Sequence, residues 1–189
     1  MPDRPRAARA IEEFLRALDY DIDGELKETG ARVAEAWIDE LVAGERVDVA
    51  RLLERGSIDL GPGPHGVVVL RDVHVATMCP HHLLPAHGRA TIGYLPGRRV
   101  AGIGVIAQVA DALARRLTLQ ESLGRDIARA LQDGLFAEGA FCRLALHHTC
   151  FALRGERQHG ATLETLALTG RFDGDLRFMA LNLAHGQAS

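Results

Sequence analysis

Three observations predict an α+β fold. Apolar residues recur at helical spacing through the first 54 positions. Stretches rich in β-branched residues begin only after the loop Gly61-Pro62-Gly63-Pro64-His65-Gly66. Two further helical stretches then separate two pairs of strands. The order of helices, then strand–strand–helix–helix–strand–strand, predicts an antiparallel sheet with helices packed on one face.

Each element follows from local pattern. Residues 1–10 are rich in Pro, Arg and Ala and read as a frayed start. Ile11, Phe14, Leu15 and Leu18 fall at i, i+3, i+4 and i+7, one stripe of an amphipathic helix. A polar break from Asp19 to Glu28 leads into a second helical pattern through Val33, Trp37, Ile38 and Leu41, stopped near Gly44. A third short helix covers 47–54. Val67–Val75 and Arg89–Leu95 read as strands, the second ended by Pro96-Gly97. Helical spacing returns at 106–117 and 120–135, and alternation at Ala140–Phe151 and Ala161–Thr169 predicts a final strand pair. The expected division is a helical extension over 1–24 and a single domain over 25–189.

Composition narrows the function classes. The chain has 189 residues, 47% hydrophobic and 25% charged, enough to bury a core. Its net charge of −3 shows no basic excess of the kind nucleic-acid binders carry. No apolar run approaches the roughly 20 residues of a membrane span, and the N-terminus has no signal-peptide stretch. The expectation is a cytoplasmic protein with neither nucleic acid nor membrane as partner. Three cysteines do not form a disulfide framework, so with nine histidines present a shared metal is the better question.

Met78-Cys79-Pro80-His81-His82 is the densest cluster of reactive side chains. Pro80 disfavours helical backbone at Cys79, so the segment reads as a tight turn leaving the strand before it. The C-x-x-H spacing of Cys79 and His82 lets two ligands close on one ion. Downstream stands His147-His148-Thr149-Cys150. If Ala140–Phe151 is a strand throughout, alternation puts His148 and Cys150 on one face and His147 on the other. Cys150 then supplies a third ligand, and three protein ligands with an open position are the catalytic form of a zinc site. On spacing alone, Cys150 reads equally as a small buried core residue. Gln120-Glu121 opens a helix, where a first-turn carboxylate reads as a solvated acid favoured by the helix dipole.

Taken in order, Cys79-Pro80-His81-His82, Gly88 to Pro96, Arg116-x-x-x-Gln120-Glu121 and His148-Thr149-Cys150-x-x-x-Arg154-Gly155 resemble the GTP cyclohydrolase I family. The resemblance runs in register from Glu25 to Phe172. The H-x-C-x-x-x-R-G motif is met in full, and Pro80 replaces the Glu of C-E-H-H. The resemblance implies a tunnelling fold with N-terminal helices, in which the sheets of several subunits join into an oligomeric barrel. It also implies a homo-oligomer, a decamer of two pentameric rings, with active sites at subunit interfaces. Position by position it implies Zn2+ on Cys79, His82 and Cys150, proton handling by His81 and His148, and Glu121 as the guanine anchor. Gln120 would be its substrate-binding neighbour in the pocket, and Arg116 and Arg154 would likewise meet the small-molecule purine substrate. Zinc lowers the pKa of a bound water to about 7, which suits attack on C8 of the purine and opening of its imidazole ring.

Departures from the family pattern lie on the phosphate side. The family's G-L-S-K-x-x-R segment aligns with Gly102 to Gln108, placing Gly104, Val105 and Gln108 where Ser, Lys and Arg are expected. Glu35 stands where another Lys is expected. Only Lys27 is lysine, with 21 arginines besides, so coding bias would have supplied arginine rather than these residues. Each lost charge-assisted contact is worth roughly 1.5–3 kcal/mol. The resulting expectation is a zinc hydrolase acting on a purine without a triphosphate: a free base, a nucleoside or an oxidised purine. The alternatives are an orthodox GTP cyclohydrolase I and a non-catalytic zinc-binding scaffold. His159 reads as a surface loop residue or as an addition to the pocket.

Overall fold

The structure, a computed structural model, describes residues 1–61 and 63–186. The chain forms two compact units, Met1–Ala43 and the remainder from Gly44.

In the first unit, α1 (Arg4–Ala17) begins well before the expected Ile11, so residues 4–10 are helical rather than frayed. The Asp3 side chain accepts from the Arg6 N–H at 3.0 Å, and Pro5 stands in the first turn, where its missing N–H costs nothing. α2 (Thr29–Ala36) continues into a π-helical turn at Trp37–Leu41. It packs closely on α1 because position 30 is glycine: a Cβ there would lie 2.7 Å from the Ala8 carbonyl oxygen and from Glu12 Cγ. Arg4 and Asp39 pair at 2.6 Å.

The second unit holds α3 (Val49–Arg55) and a four-stranded antiparallel sheet in the order β2-β3-β5-β6. These strands are β2 (Val68–Met78), β3 (Pro85–Leu95), β5 (Gly139–His148) and β6 (Leu163–Gly170). A small ribbon pairs β1 (Ser57–Asp59) with β4 (Arg99–Ala101). Between the strand pairs lie α4 (Ile103–Ala114) and α5 (Gln120–Leu135). The alternation along β3 and β5 sends Ala90, Ile92, Cys142, Leu144 and Leu146 into a core shared with Val109, Ile127 and Leu131 of these helices. This is the predicted layering. A second, smaller core on Phe141 adds Phe172, Ala180 and Ala184, the last two from α7 (Arg177–His185), an element without a strong periodic signal. No helix among the described residues is long and apolar enough to cross a membrane.

One expected strand ends early. β5 stops at His148, and Thr149–Ala152 is a single helical turn, α6. Ladder pairing with β3 runs out at Ala86↔His148 because the next β3 residue is Pro85, which has no N–H to give. The Thr149 hydroxyl instead donates to the Pro85 carbonyl at 2.6 Å, and the chain turns.

Candidate metal centre and active site

Cys79 follows directly on β2, in the hairpin turn that leads to β3. Its N–H donates to the Leu84 carbonyl at 3.0 Å, and its own carbonyl accepts from Leu83 N–H at 2.9 Å. Leu83 takes a positive φ of 53° to close that turn. The closure brings Cys79 Sγ to 3.9 Å from His82 Nδ1. Cys150 arrives from the other direction, on the α6 turn and not on a strand. The ligating atoms of Cys79, His82 and Cys150 all lie within 4.8 Å of one another. The strand alternation that was expected to aim Cys150 is absent, yet the three residues converge.

The donor set fits zinc. Bonds of about 2.3 Å to sulfur and 2.0–2.1 Å to nitrogen put tetrahedral donors roughly 3.5–3.8 Å apart, so small side-chain movements would suffice. Burial raises the Cys150 thiol pKa, and the neighbouring Cys79 raises it further. A dication would relieve that penalty by binding both sulfurs as thiolates.

His148 and Cys150 line one cavity of about 320 Å³ with Phe151, Ala161, Thr162 and Leu163. His147 is not among these lining residues: its Nδ1 donates to the Ala161 carbonyl at 2.9 Å, and its ring meets His87 edge-on at 6.0 Å. Burial lowers the His148 pKa, Glu121 opposes that shift, and His147 adds to it. His148 Nε2 lies 2.8 Å from Gln120 Oε1. Gln120 starts α5 but is almost wholly buried, its amide nitrogen held by Leu163 O at 2.9 Å, Thr165 Oγ1 at 3.1 Å and Leu144 O at 3.3 Å. The sequence alone assigns Thr165 and Thr149 no role, since a threonine in a strand or after one is ordinarily silent.

Glu121 is exposed and borders a second cavity of about 320 Å³ with Gly124, Arg125, Thr165, Leu166 and Ala167. His81 is exposed in the Cys79 turn, its ring 6.3 Å from that of His82. Arg116 is half-buried and donates from Nε to the Ala112 carbonyl at 3.3 Å. Arg154 is exposed, and its charge acts on the Cys150 thiol. His159 is exposed in the loop after α6.

A family model described as GTP cyclohydrolase I matches residues 7–185. The chain belongs to the GTP cyclohydrolase I family. It is an enzyme of that family, and the family's tunnelling fold accounts for the antiparallel sheet with α4 and α5 on one face. A GTP cyclohydrolase 1 from Corynebacterium glutamicum (strain R) is 40% identical over 90% of this chain and 86% of its own. Another, from Allorhizobium ampelinum, is 37% identical over 95% of this chain and 91% of its own. Among solved structures, the apo archaeosine synthase QueF-like protein overlays with a TM-score of 0.47 at 17% identity, covering 57% of this chain and 97% of that one. That likeness is too loose to bear on the argument.

These relatives overturn the expectation of a purine without a triphosphate. Similarity to proteins named GTP cyclohydrolase 1 runs through nine-tenths of the chain and favours GTP itself. The expectation counted Glu35, Gly104, Val105 and Gln108 as if each faced the phosphates. Val105 does not present its side chain freely: it packs on Gly56 and against the main core. Glu35 is exposed within electrostatic reach of Arg4. Gly104 and Gln108 are exposed on α4.

Proposed function

We propose that the chain converts GTP to 7,8-dihydroneopterin triphosphate and formate at a zinc site formed by Cys79, His82 and Cys150. The observation that carries this reading is the convergence of those three donors within 4.8 Å, with Cys150 lining the same cavity as His148. Support comes also from the 40% identity to a relative named GTP cyclohydrolase 1. When bound, the ion supplies Lewis acidity that makes water a nucleophile at neutral pH.

The chain's own residues bind and move protons. His148, whose charged form burial disfavours, accepts a proton during water attack and returns one to the purine nitrogen that leaves C8. His81, exposed in the same turn as the ligands, serves as the second histidine of that exchange. Glu121 offers two acceptor oxygens to the N1–H and exocyclic amine of guanine, which fixes the ring. Arg154 and Arg116 supply positive charge to the triphosphate. The protein acts as a homo-oligomer, in the family's decameric form with sites between subunits.

The test is turnover of GTP by the zinc-loaded protein, followed by formate release and pterin fluorescence, beside elemental analysis. Cys150→Ala is expected to lose both zinc and product. Fully zinc-loaded wild type that returns GTP intact would overturn the reading.

A further inference from the structure

The Gln120 amide has only one orientation compatible with its surroundings. Two of the three atoms around its nitrogen, Leu144 O and Leu163 O, are backbone carbonyls that only accept. Turning the amide over would set its oxygen against both, inside a site where the residue is 2% exposed. The nitrogen therefore faces the carbonyls and Thr165 Oγ1, and the oxygen faces His148 Nε2 at 2.8 Å. An amide oxygen also only accepts, so the imidazole nitrogen opposite it must carry the hydrogen.

We infer that Gln120 is a positioning residue that holds neutral His148 as the Nε2–H tautomer and so makes Nδ1 the nitrogen that exchanges protons with substrate. Among the described residues Nδ1 has no hydrogen-bond partner, while Nε2 is committed to Gln120. The other tautomer would bring two lone pairs face to face in a part-buried place, and that unmatched polar contact is unfavourable. Gln120 is thereby removed from the direct substrate contacts that the family resemblance implied. Both amide hydrogens are taken up by three protein acceptors. What it contributes is the orientation of a ring, joined through one side chain to α5, β5 and β6. The inference rests on the proposed proton-carrying role of His148 for its catalytic consequence, and on hydrogen-bond geometry alone for the tautomer.

Two measurements separate these. Neutron diffraction on deuterium-exchanged wild-type crystals at mildly alkaline pH is expected to show deuterium on His148 Nε2 and none on Nδ1. Deuterium on Nδ1 with a bare Nε2 would overturn the inference whatever the enzyme's substrate. Kinetics of Gln120→Met then read the consequence: kcat for GTP falls by about 10²-fold, within the range for a misdirected acid–base group, while KM moves less than about threefold. A rise in KM with unchanged kcat would make Gln120 a substrate contact instead. Wild type inactive on GTP, with the expected neutron density, would refute the proposed reaction and leave the tautomer standing.

Discussion

Replacing Thr149 by valine tests how Cys150 is brought to the proposed zinc site. The threonine hydroxyl donates to the Pro85 carbonyl at 2.6 Å, tying the start of the α6 turn to the first residue of β3. Valine keeps the shape and removes the donor. A net hydrogen bond is worth about 0.5–1.5 kcal/mol, and exposure of this one favours the lower half of that range, since water can take the Pro85 oxygen. If that bond preorganises Cys150, the cost appears in zinc affinity as about a two- to fivefold weakening, at about 1.4 kcal/mol per factor of ten. The assay is competition for zinc with a chelator of known affinity, run on wild type, Thr149→Val and Thr149→Ser. Serine retains the hydroxyl and should return most of the affinity. Equal zinc affinity in all three proteins would show that Cys150 is placed by the chain turn alone and that the hydroxyl is incidental.

Other expectations follow from the same geometry. His148→Ala should keep its zinc, measured by elemental analysis, while kcat on GTP drops about 10²–10⁴-fold. Glu121→Gln should raise KM for GTP, because an amide presents a donor where guanine offers donors; unchanged KM would return Glu121 to a solvated first-turn acid. Val105→Lys should lower stability by about 1–3 kcal/mol in denaturant titration, because a charge would enter the packing around Gly56 and the core. The Arg143 guanidinium, 2.6 Å from Glu164, holds that carboxyl below its ordinary range. Its stabilisation is complete above the unfolded carboxylate pKa of about 4.3 and is lost as pH falls through the lower folded value. The Tm gap between wild type and Arg143→Met should therefore shrink on acidification, and a gap that widens would contradict the pairing.

The layered fold was legible because it rests on periodicity, which single segments carry. Alternation in Arg89–Leu95 and helical spacing in 120–135 each point to a face, and those faces meet in the core. What escaped depends on distant partners. Alternation runs on through Phe151 in the sequence, yet β5 ends at His148 because β3 begins at a proline more than sixty residues earlier. Phe172 and α7 are ordered by packing on Phe141, which no local pattern announces. The start of α1 is a different kind of miss, since Asp3 and Pro5 were a readable cap. Within the site, the Cys79–His82 spacing was a local signal that the turn draws to 3.9 Å, but the commitment of Gln120 needs carbonyls from β5 and β6 that only the fold brings near.

The failed substrate expectation separates two kinds of residue information. Metal coordination is directional and short-ranged: three donors must meet within a few ångströms, and few other residues can substitute for Cys79, His82 or Cys150. The convergence of these three donors is what supports their proposed role as ligands. Triphosphate neutralisation is Coulombic and falls off slowly, so a cation in one position can do work that a relative assigns to another. A chain with 21 arginines has many ways to supply that charge. Loss of lysine at an aligned position is informative only where its replacement faces the ligand, and Val105 packs on Gly56 instead. Site chemistry is thus better inferred from the residues that must be present than from those that are missing.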